Sequence, residues 1–243
     1  MSSPCSHSLK VFDRWRGHEI ASVQTDSQGG AIHTLVRAGV SLRNADLRGF
    51  TLNHTFLRGA DLRGADLARA TLHRAYLRDS KLRGANLRHA DLVQTNLQNA
   101  DLSRADLSHA DLSRADLRGA NLLGAELQSA SLQDAKLDGA ILDWRRGTIP
   151  AEILRRSAGA PDGQPRLVLD LLVHGERDDL PWLAVVGRHR DAADWAIRLL
   201  VPHVSHGDNA PAFLKRMAHS LRTPSRRPAQ LPRLSWVRRS PSQ

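Results

Sequence analysis

Leucine occurs at every fifth position from Leu42 to Leu142, twenty-one times in succession. In an α-helix a step of five residues passes beyond one full turn, so such leucines would spiral around the helix instead of forming one apolar face. In a continuous strand an odd step would place successive leucines on opposite faces. The period therefore excludes one long helix and one long strand. It predicts short extended segments separated by corners, with every leucine pointing into a common interior, which is a solenoid.

The other positions of the repeat have their own preferences. The residue two positions before each leucine is usually alanine, as at Ala45, Ala60 and Ala65. Side chains two apart share a face of an extended segment, so Ala and Leu are both predicted to point inwards. The residue between them is most often Asp or Asn, whose short side chains bond to nearby backbone in turns. The two residues after each leucine are mostly polar or glycine, and we interpret them as the outer wall and the corner.

The segments ADLRG, ANLRH, ADLSR and ANLLG resemble the A(D/N)LXX repeats of the pentapeptide-repeat family, and the resemblance extends over residues 40–144. It implies a mainly β protein whose centre is a right-handed quadrilateral β-helix with four pentapeptides per coil, so that residues twenty apart stack on one another. About five coils fit into this segment. In that register His89 and His109 are expected to be neighbours.

The regions outside the repeats predict three further segments. Residues 1–39 alternate like two strands around a turn and then show helical spacing, which predicts a β-hairpin plus helix that caps the first coil. Residues 145–219 contain apolar spacings typical of helices and predict a C-terminal α-helical domain. Residues 220–243 are rich in Pro, Arg and Ser and predict a disordered basic tail.

Charge is unevenly distributed along the chain, whose formal net charge is +10. Counting Lys and Arg against Asp and Glu, residues 40–89 carry +6 and residues 90–144 carry −5. Residues 215–243 contain no acidic residue. The eight basic residues of this stretch, two at the end of the helical segment and six in the tail, are together called the tail cations and are predicted to bind an anionic partner such as nucleic acid. They are Lys215, Arg216, Arg222, Arg226, Arg227, Arg233, Arg238 and Arg239.

No sequence motif for catalysis is present: a P-loop, GxGxxG, HExxH, GxSxG and CxxC are all missing. The sequence therefore predicts a protein that is not an enzyme, with no cofactor and no metal site. One cysteine, no signal-like apolar run and no stretch long enough to cross a membrane lead us to expect a cytoplasmic bacterial protein.

A register of twenty residues brings two sets of candidate binding residues together. Arg43, Arg63 and Arg83 should form a ladder, joined by Lys81, that requires an anionic partner or the nearby Asp61 to offset its charge.

On the adjoining wall Phe56 and Tyr76 should stack, flanked by Arg58 and Arg78. Aromatic residues beside arginine suit either a protein-binding hot spot or a platform for nucleic-acid bases. The alternative is that the N-terminal hairpin packs over both rings.

Three functions follow from these features. The first is a rigid, non-enzymatic scaffold that docks a still unidentified protein partner. The second, implied by the family resemblance, is mimicry of duplex DNA to bind a type II topoisomerase and protect it from inhibitors, although the basic first half of the rod opposes this. The third is a tether to nucleic acid or another anionic surface through the tail. The resemblance also implies a homodimer formed through the C-terminal domain.

Overall fold

The computed structural model describes residues 7–143, together with residues 200, 203, 204, 210, 215 and 219. The rest of the predicted C-terminal helical domain and of the basic tail lies outside the described residues. Leu200, Val204 and Ala210 are buried in the same apolar cluster as the repeat leucines.

The repeats form a β-helix with the predicted register. Parallel bridges join residues twenty apart, from Asp46 and Asp66 to Asn121 and Ile141. All twenty-one leucines are buried, and the alanines that precede them complete a narrow apolar interior. The rings of His89 and His109 are stacked with centroids 4.8 Å apart, as a twenty-residue register requires.

Because a coil closes after twenty residues, it contains four pentapeptides and has four walls. We name each wall after its first leucine: the Leu42, Leu47, Leu52 and Leu57 walls. Within a pentapeptide, the residue before leucine occupies the cap position, the residue after leucine the outer position, and the next residue the corner position.

The corner position has one backbone conformation throughout. Every corner residue from Asn44 to Gly139 has a positive φ, between 55° and 70°. This left-handed conformation lies between two extended segments and turns the chain onto the next wall. Glycine adopts it without a steric penalty, which explains its frequency there. At the other corners, such as His54 and Arg74, a residue with a side chain adopts this conformation despite the steric strain on its Cβ atom.

The cap position explains the preference for Asp and Asn. Four of the five backbone N–H groups of a typical pentapeptide bond to backbone carbonyls, either across coils or within the turn. The remaining N–H belongs to the outer residue, and the side chain at the cap position accepts from it. The Val93 N–H donates to Asp91 Oδ1 over 3.0 Å, and the Ser113 N–H donates to Asp111 Oδ1 over 2.9 Å. The repeat thus satisfies its own backbone.

The N-terminal segment closes the first coil. Strands β1 (His7–Phe12) and β2 (Glu19–Thr25) pair as an antiparallel hairpin, and helix α1 (Gln28–Arg37) follows. The Ser27 side chain accepts from the Gly30 N–H and caps the helix. Ile32 and Leu35 of α1 are buried in the apolar interior.

This cap replaces the hydrogen bonds that a preceding coil would have made. The Asp46 N–H donates to Phe12 O over 2.8 Å, and the Thr51 N–H donates to Gln28 Oε1 over 2.8 Å. His33 Nδ1 lies 3.0 Å from Phe56 O; since a carbonyl can only accept, Nδ1 carries the proton. The edge is therefore covered by both the hairpin and the helix.

Candidate binding surfaces

Phe56 and Tyr76 form a stacked aromatic pair at cap positions of the Leu57 wall. Their ring centroids are 4.6 Å apart and the ring planes differ by 7°. Phe56 is 57% exposed and Tyr76 is 44% exposed, whereas every leucine of the repeats is buried. We call these two residues, with Arg58 and Arg78 at the neighbouring outer positions, the aromatic patch.

The aromatic pair is not needed to build the wall. In later coils the same ladder carries Asn96 and Asp116, whose side chains accept from the N–H groups of Gln98 and Arg118. A phenylalanine has no acceptor, so position 56 forgoes this hydrogen bond. A departure from a local rule without a structural gain is expected where a surface has a function.

The two arginines of the aromatic patch share one carboxylate. Asp79 Oδ2 lies 3.2 Å from Arg58 Nε and 3.5 Å from Arg78 Nε. The Asn99 amide donates to the other oxygen of Asp79, and together with the arginines it holds the pKa of Asp79 below its usual value. Two cations against one anion leave a net positive rim beside the aromatic rings.

Of the two alternatives, an open pair or a pair covered by the N-terminal hairpin, the exposure of both rings favours the open pair. Among the described residues, His33 of helix α1 is the one N-terminal residue with a ring contact to the pair, edge-on to Phe56 with centroids 5.8 Å apart. In the ladder Tyr76 lies between Phe56 and Asn96. Stacking on Phe56 occupies one face of the Tyr76 ring, and both residues keep a large exposed fraction.

Arg43, Arg63 and Arg83 lie in successive coils at outer positions of the Leu42 wall, as predicted. They line a shallow groove of about 400 Å³. The remaining lining residues occupy the adjacent corner: Asn44, Gly64, Gly84 and Arg104. We call this feature the arginine groove. Lys81 does not line it, because it occupies the cap ladder between Asp61 and Asp101.

The charges of the arginine groove are only partly compensated. Arg63 makes a bidentate pair with Asp61, with Nε–Oδ1 and Nη2–Oδ2 distances of 2.7 and 2.6 Å. These hydrogen bonds from Arg63 lower the pKa of Asp61 to about 2. Within the described part of the chain, no ion pair forms at Arg43, Arg83 or Arg104. The groove therefore has a surplus of positive charge.

Sequence reasoning missed Arg104. Its corner position breaks the twenty-residue spacing of the other three arginines, since position 103 in the ladder is serine. A search for arginine within one residue of each ladder position would have found it.

Other predicted features are described only in part. Lys215 of the tail is exposed, and the other seven tail cations lie outside the described residues. Among residues the structure describes, no cluster of three or more His, Cys, Asp or Glu side chains could hold a metal ion. Within the same residues, no helix has the length and apolar character to cross a membrane.

Comparison with known proteins identifies the repeats. The family model of pentapeptide repeats matches in eight copies, over residues 41–79, 70–108, 80–119 and 105–143. No curated protein sequence matches the chain.

Solved structures of repeat proteins also match. HetL, a pentapeptide repeat protein involved in heterocyst differentiation regulation from Nostoc sp. strain PCC 7120, is 39% identical over 42% of this chain and 53% of its own, with a TM-score of 0.33. The match therefore spans about half of HetL. A second pentapeptide repeat protein from Nostoc is 36% identical over 46% of this chain and 78% of its own, with a TM-score of 0.22.

A third match is QnrB1, a plasmid-mediated fluoroquinolone resistance protein. It is 15% identical over 40% of this chain and 70% of its own, with a TM-score of 0.29.

Proposed function

The chain belongs to the pentapeptide-repeat family, whose members fold as right-handed β-helices, and we propose that it is a non-enzymatic scaffold that binds a protein partner through the aromatic patch. The solenoid supplies a rigid wall, since each coil is hydrogen-bonded to the next along all four sides. Rigid surfaces lose little conformational entropy when they bind.

The observation that carries this proposal is the exposure of Phe56 and Tyr76 at positions where the fold uses Asp or Asn. Stacking fixes both rings before a partner arrives, and the arginines beside them add polar contacts at the edge. Aromatic residues with adjacent arginines are the residue types that dominate binding energy at protein interfaces.

Binding to a type II topoisomerase is the second candidate, because QnrB1 is a fluoroquinolone resistance protein. Mimicry of duplex DNA would require a strongly acidic surface. In this rod, the first half is basic, and two arginines of the groove there, Arg43 and Arg83, lack ion pairs within the described residues. Charge therefore favours the general scaffold over DNA mimicry. Tethering through the tail stays a separate prediction.

Site-specific photo-crosslinking tests the proposal. A benzophenone amino acid is placed at position 76 in the full chain and irradiated in a lysate of the source cells. A discrete crosslinked band is expected at position 76. The matched control places the same group at position 113, on the Leu52 wall, where no crosslink to that band is expected.

A second arm uses point variants and a purified type II topoisomerase. In protein without the benzophenone group, Tyr76→Asn should abolish pull-down of the crosslinked partner, whereas His109→Asn at a distant corner should leave it intact. Equal capture by both variants would contradict a role for the aromatic patch. Crosslinking of position 76 to the purified topoisomerase would establish the second candidate in place of a different partner.

A further inference from the structure

The arginine groove is elongated along the rod. Neighbouring strands are about 4.8 Å apart, so the three steps from the coil of Arg43 to that of Arg104 cover roughly 14 Å. Its floor is open at Gly84, where a built Cβ would meet no heavy atom within 4 Å, whereas the Asn44 side chain lies over Gly64. A linear anion fits such a groove better than a compact one.

The arginines lie closer together than like charges favour. Guanidinium groups on adjacent strands repel one another unless an anion lies between them. Arg63 is fixed by Asp61 through Nε and Nη2, and no hydrogen bond from its Nη1 is found in the described residues. Arg43, Arg83 and Arg104 have no carboxylate partner there. Planar guanidinium groups match the oxygen geometry of phosphate, so a chain of phosphodiesters would neutralise this row.

An exposed tryptophan lies in the hairpin turn next to Arg14, a residue that contacts the N-terminal end of the same groove. Trp15 is 72% exposed and belongs to the turn between β1 and β2. The turn is fixed by Asp13, whose Oδ1 accepts from the N–H groups of Trp15 and Arg16 over 2.9 and 2.7 Å. Trp15 is therefore presented by an ordered backbone.

Arg14 connects the tryptophan to the groove. Its backbone N–H donates to Asn44 O over 2.8 Å, and its Nη1 donates to Gly64 O over 3.1 Å. Both acceptors belong to residues that line the groove. The Arg14 guanidinium carbon lies 4.5 Å from the centroid of the Trp15 ring and supports it by a cation–π contact.

We infer that the arginine groove binds a single strand of nucleic acid, with its phosphates along Arg43, Arg63, Arg83 and Arg104 and a base stacked on Trp15. A basic groove beside an exposed aromatic ring is the combination used for single strands, because every base offers a π-face. An acidic peptide would use the arginines but has no need of the tryptophan. A duplex keeps its bases stacked inside and could not use Trp15 either.

This site is separate from the aromatic patch. The groove lies along the corner between the Leu42 and Leu47 walls, and the patch lies on the Leu57 wall. The inference therefore does not depend on the proposed protein partner, and either can fail alone.

Fluorescence anisotropy with the full-length protein tests the inference. The probe is a labelled oligothymidylate of about twelve nucleotides, titrated across roughly 50 to 300 mM salt. Arg43→Ser combined with Arg83→Ser is expected to weaken binding at low salt by about tenfold or more and to lower the salt slope by roughly 1.4. Serine is chosen because Ser103 occupies the next rung of this ladder.

The matched control removes the same charge elsewhere on the same half of the rod. Arg69→Ser combined with Arg74→Ser changes two exposed corners away from the groove and should weaken binding by less than about threefold. Trp15→Ala should weaken binding by about tenfold, and Trp15→Phe should restore most of it. Circular dichroism of each variant verifies that the fold is kept.

Two results would overturn the inference. Equal losses in the groove pair and the control pair would assign binding to overall charge or to the tail. The second result is that a duplex or a polyglutamate of equal charge binds as tightly as the oligothymidylate and that Trp15→Ala has no effect. The groove would then be a general anion-binding surface.

Discussion

Asp61 and Arg63 form a closed bidentate ion pair across a single leucine, with both oxygens of the carboxylate engaged at 2.7 and 2.6 Å. The pairs Asp46–Arg48 and Asp116–Arg118 have the same geometry. The triplet Asp-Leu-Arg therefore builds this pair locally, because cap and outer positions lie on the same side of the wall.

These pairs predict a loss of stability in acid. The pKa values of Asp61 and Asp116 are each lowered from 3.8 to about 2, mainly by hydrogen bonds from Arg63 and Arg118. Since the folded state binds protons less readily than the unfolded state, their contribution is complete above about pH 4 and is lost as the pH falls towards about 2. Urea denaturation at several pH values should show the midpoint falling through this window.

The matched variant for this prediction is Asp61→Asn. Asparagine keeps the cap on the Arg63 N–H, as Asn96 does for Gln98, but cannot form the ion pair. Its midpoint should change less than that of the wild-type protein between pH 4 and pH 2. An unchanged pH dependence would show that other carboxylates control acid unfolding.

Ser80 predicts a stabilising substitution. It occupies the inward position filled by Ala60 and Ala100 in neighbouring coils, is 1% exposed, and its hydroxyl has no hydrogen-bond partner among the described residues. Ser80→Ala should raise the free energy of unfolding by about 1 kcal/mol, because an unsatisfied buried hydroxyl is removed.

Thr95 provides the control for Ser80. It occupies an equivalent inward position and is fully buried, but its hydroxyl donates to Leu72 O over 2.8 Å. Thr95→Ala should lower the free energy of unfolding by about 1 to 2 kcal/mol, as a hydrogen bond and a methyl group are lost. Thermal unfolding should show Tm shifts of opposite sign for the two variants. Tm shifts of the same sign would contradict the assignment of an unsatisfied hydroxyl at Ser80.

Alanine substitutions at the corner glycines are expected to lower the free energy of unfolding by different amounts. Gly59 has a φ of +69° and open space where a Cβ would lie, so Gly59→Ala adds only the strain of a left-handed alanine, about 1 kcal/mol. Gly64→Ala adds the same strain and a clash with the Asn44 side chain, so it should cost more. Equal unfolding free energies for the two variants would exclude the clash.

Substitutions of Tyr76 in the aromatic patch are expected to change partner binding and stability independently. Tyr76→Asn loses the stacked ring but gains an acceptor for the Arg78 N–H, whereas Tyr76→Ala loses the ring alone. The asparagine variant should therefore be more stable than the alanine variant by about 1 kcal/mol in chemical denaturation. If the alanine variant is as stable as the asparagine variant, a hydrogen-bond acceptor at cap position 76 contributes nothing to stability.

Much of the fold was predictable because the same local rule is repeated in every pentapeptide. Leucine spacing predicts the coil, the Asp and Asn positions predict the caps, and arithmetic in steps of twenty predicts the stacking of Phe56 on Tyr76 and of His89 on His109. The hairpin and helix at the N-terminus also follow from their own patterns. Each of these depends on residues close in sequence or on a fixed repeat length.

The tertiary structure alone decided which surfaces stay open and which charges meet. The period does not encode the placement of α1 at the edge of Phe56, the sharing of Asp79 by two arginines or the entry of Arg104 into the groove. Nor does it encode the contact of Trp15 with Arg14 beside that groove. They depend on how the cap docks against the first coil and on how long side chains cross a corner. A repeat fixes the backbone position of each residue by arithmetic, but docking and side-chain pairing are set by packing between segments distant in sequence.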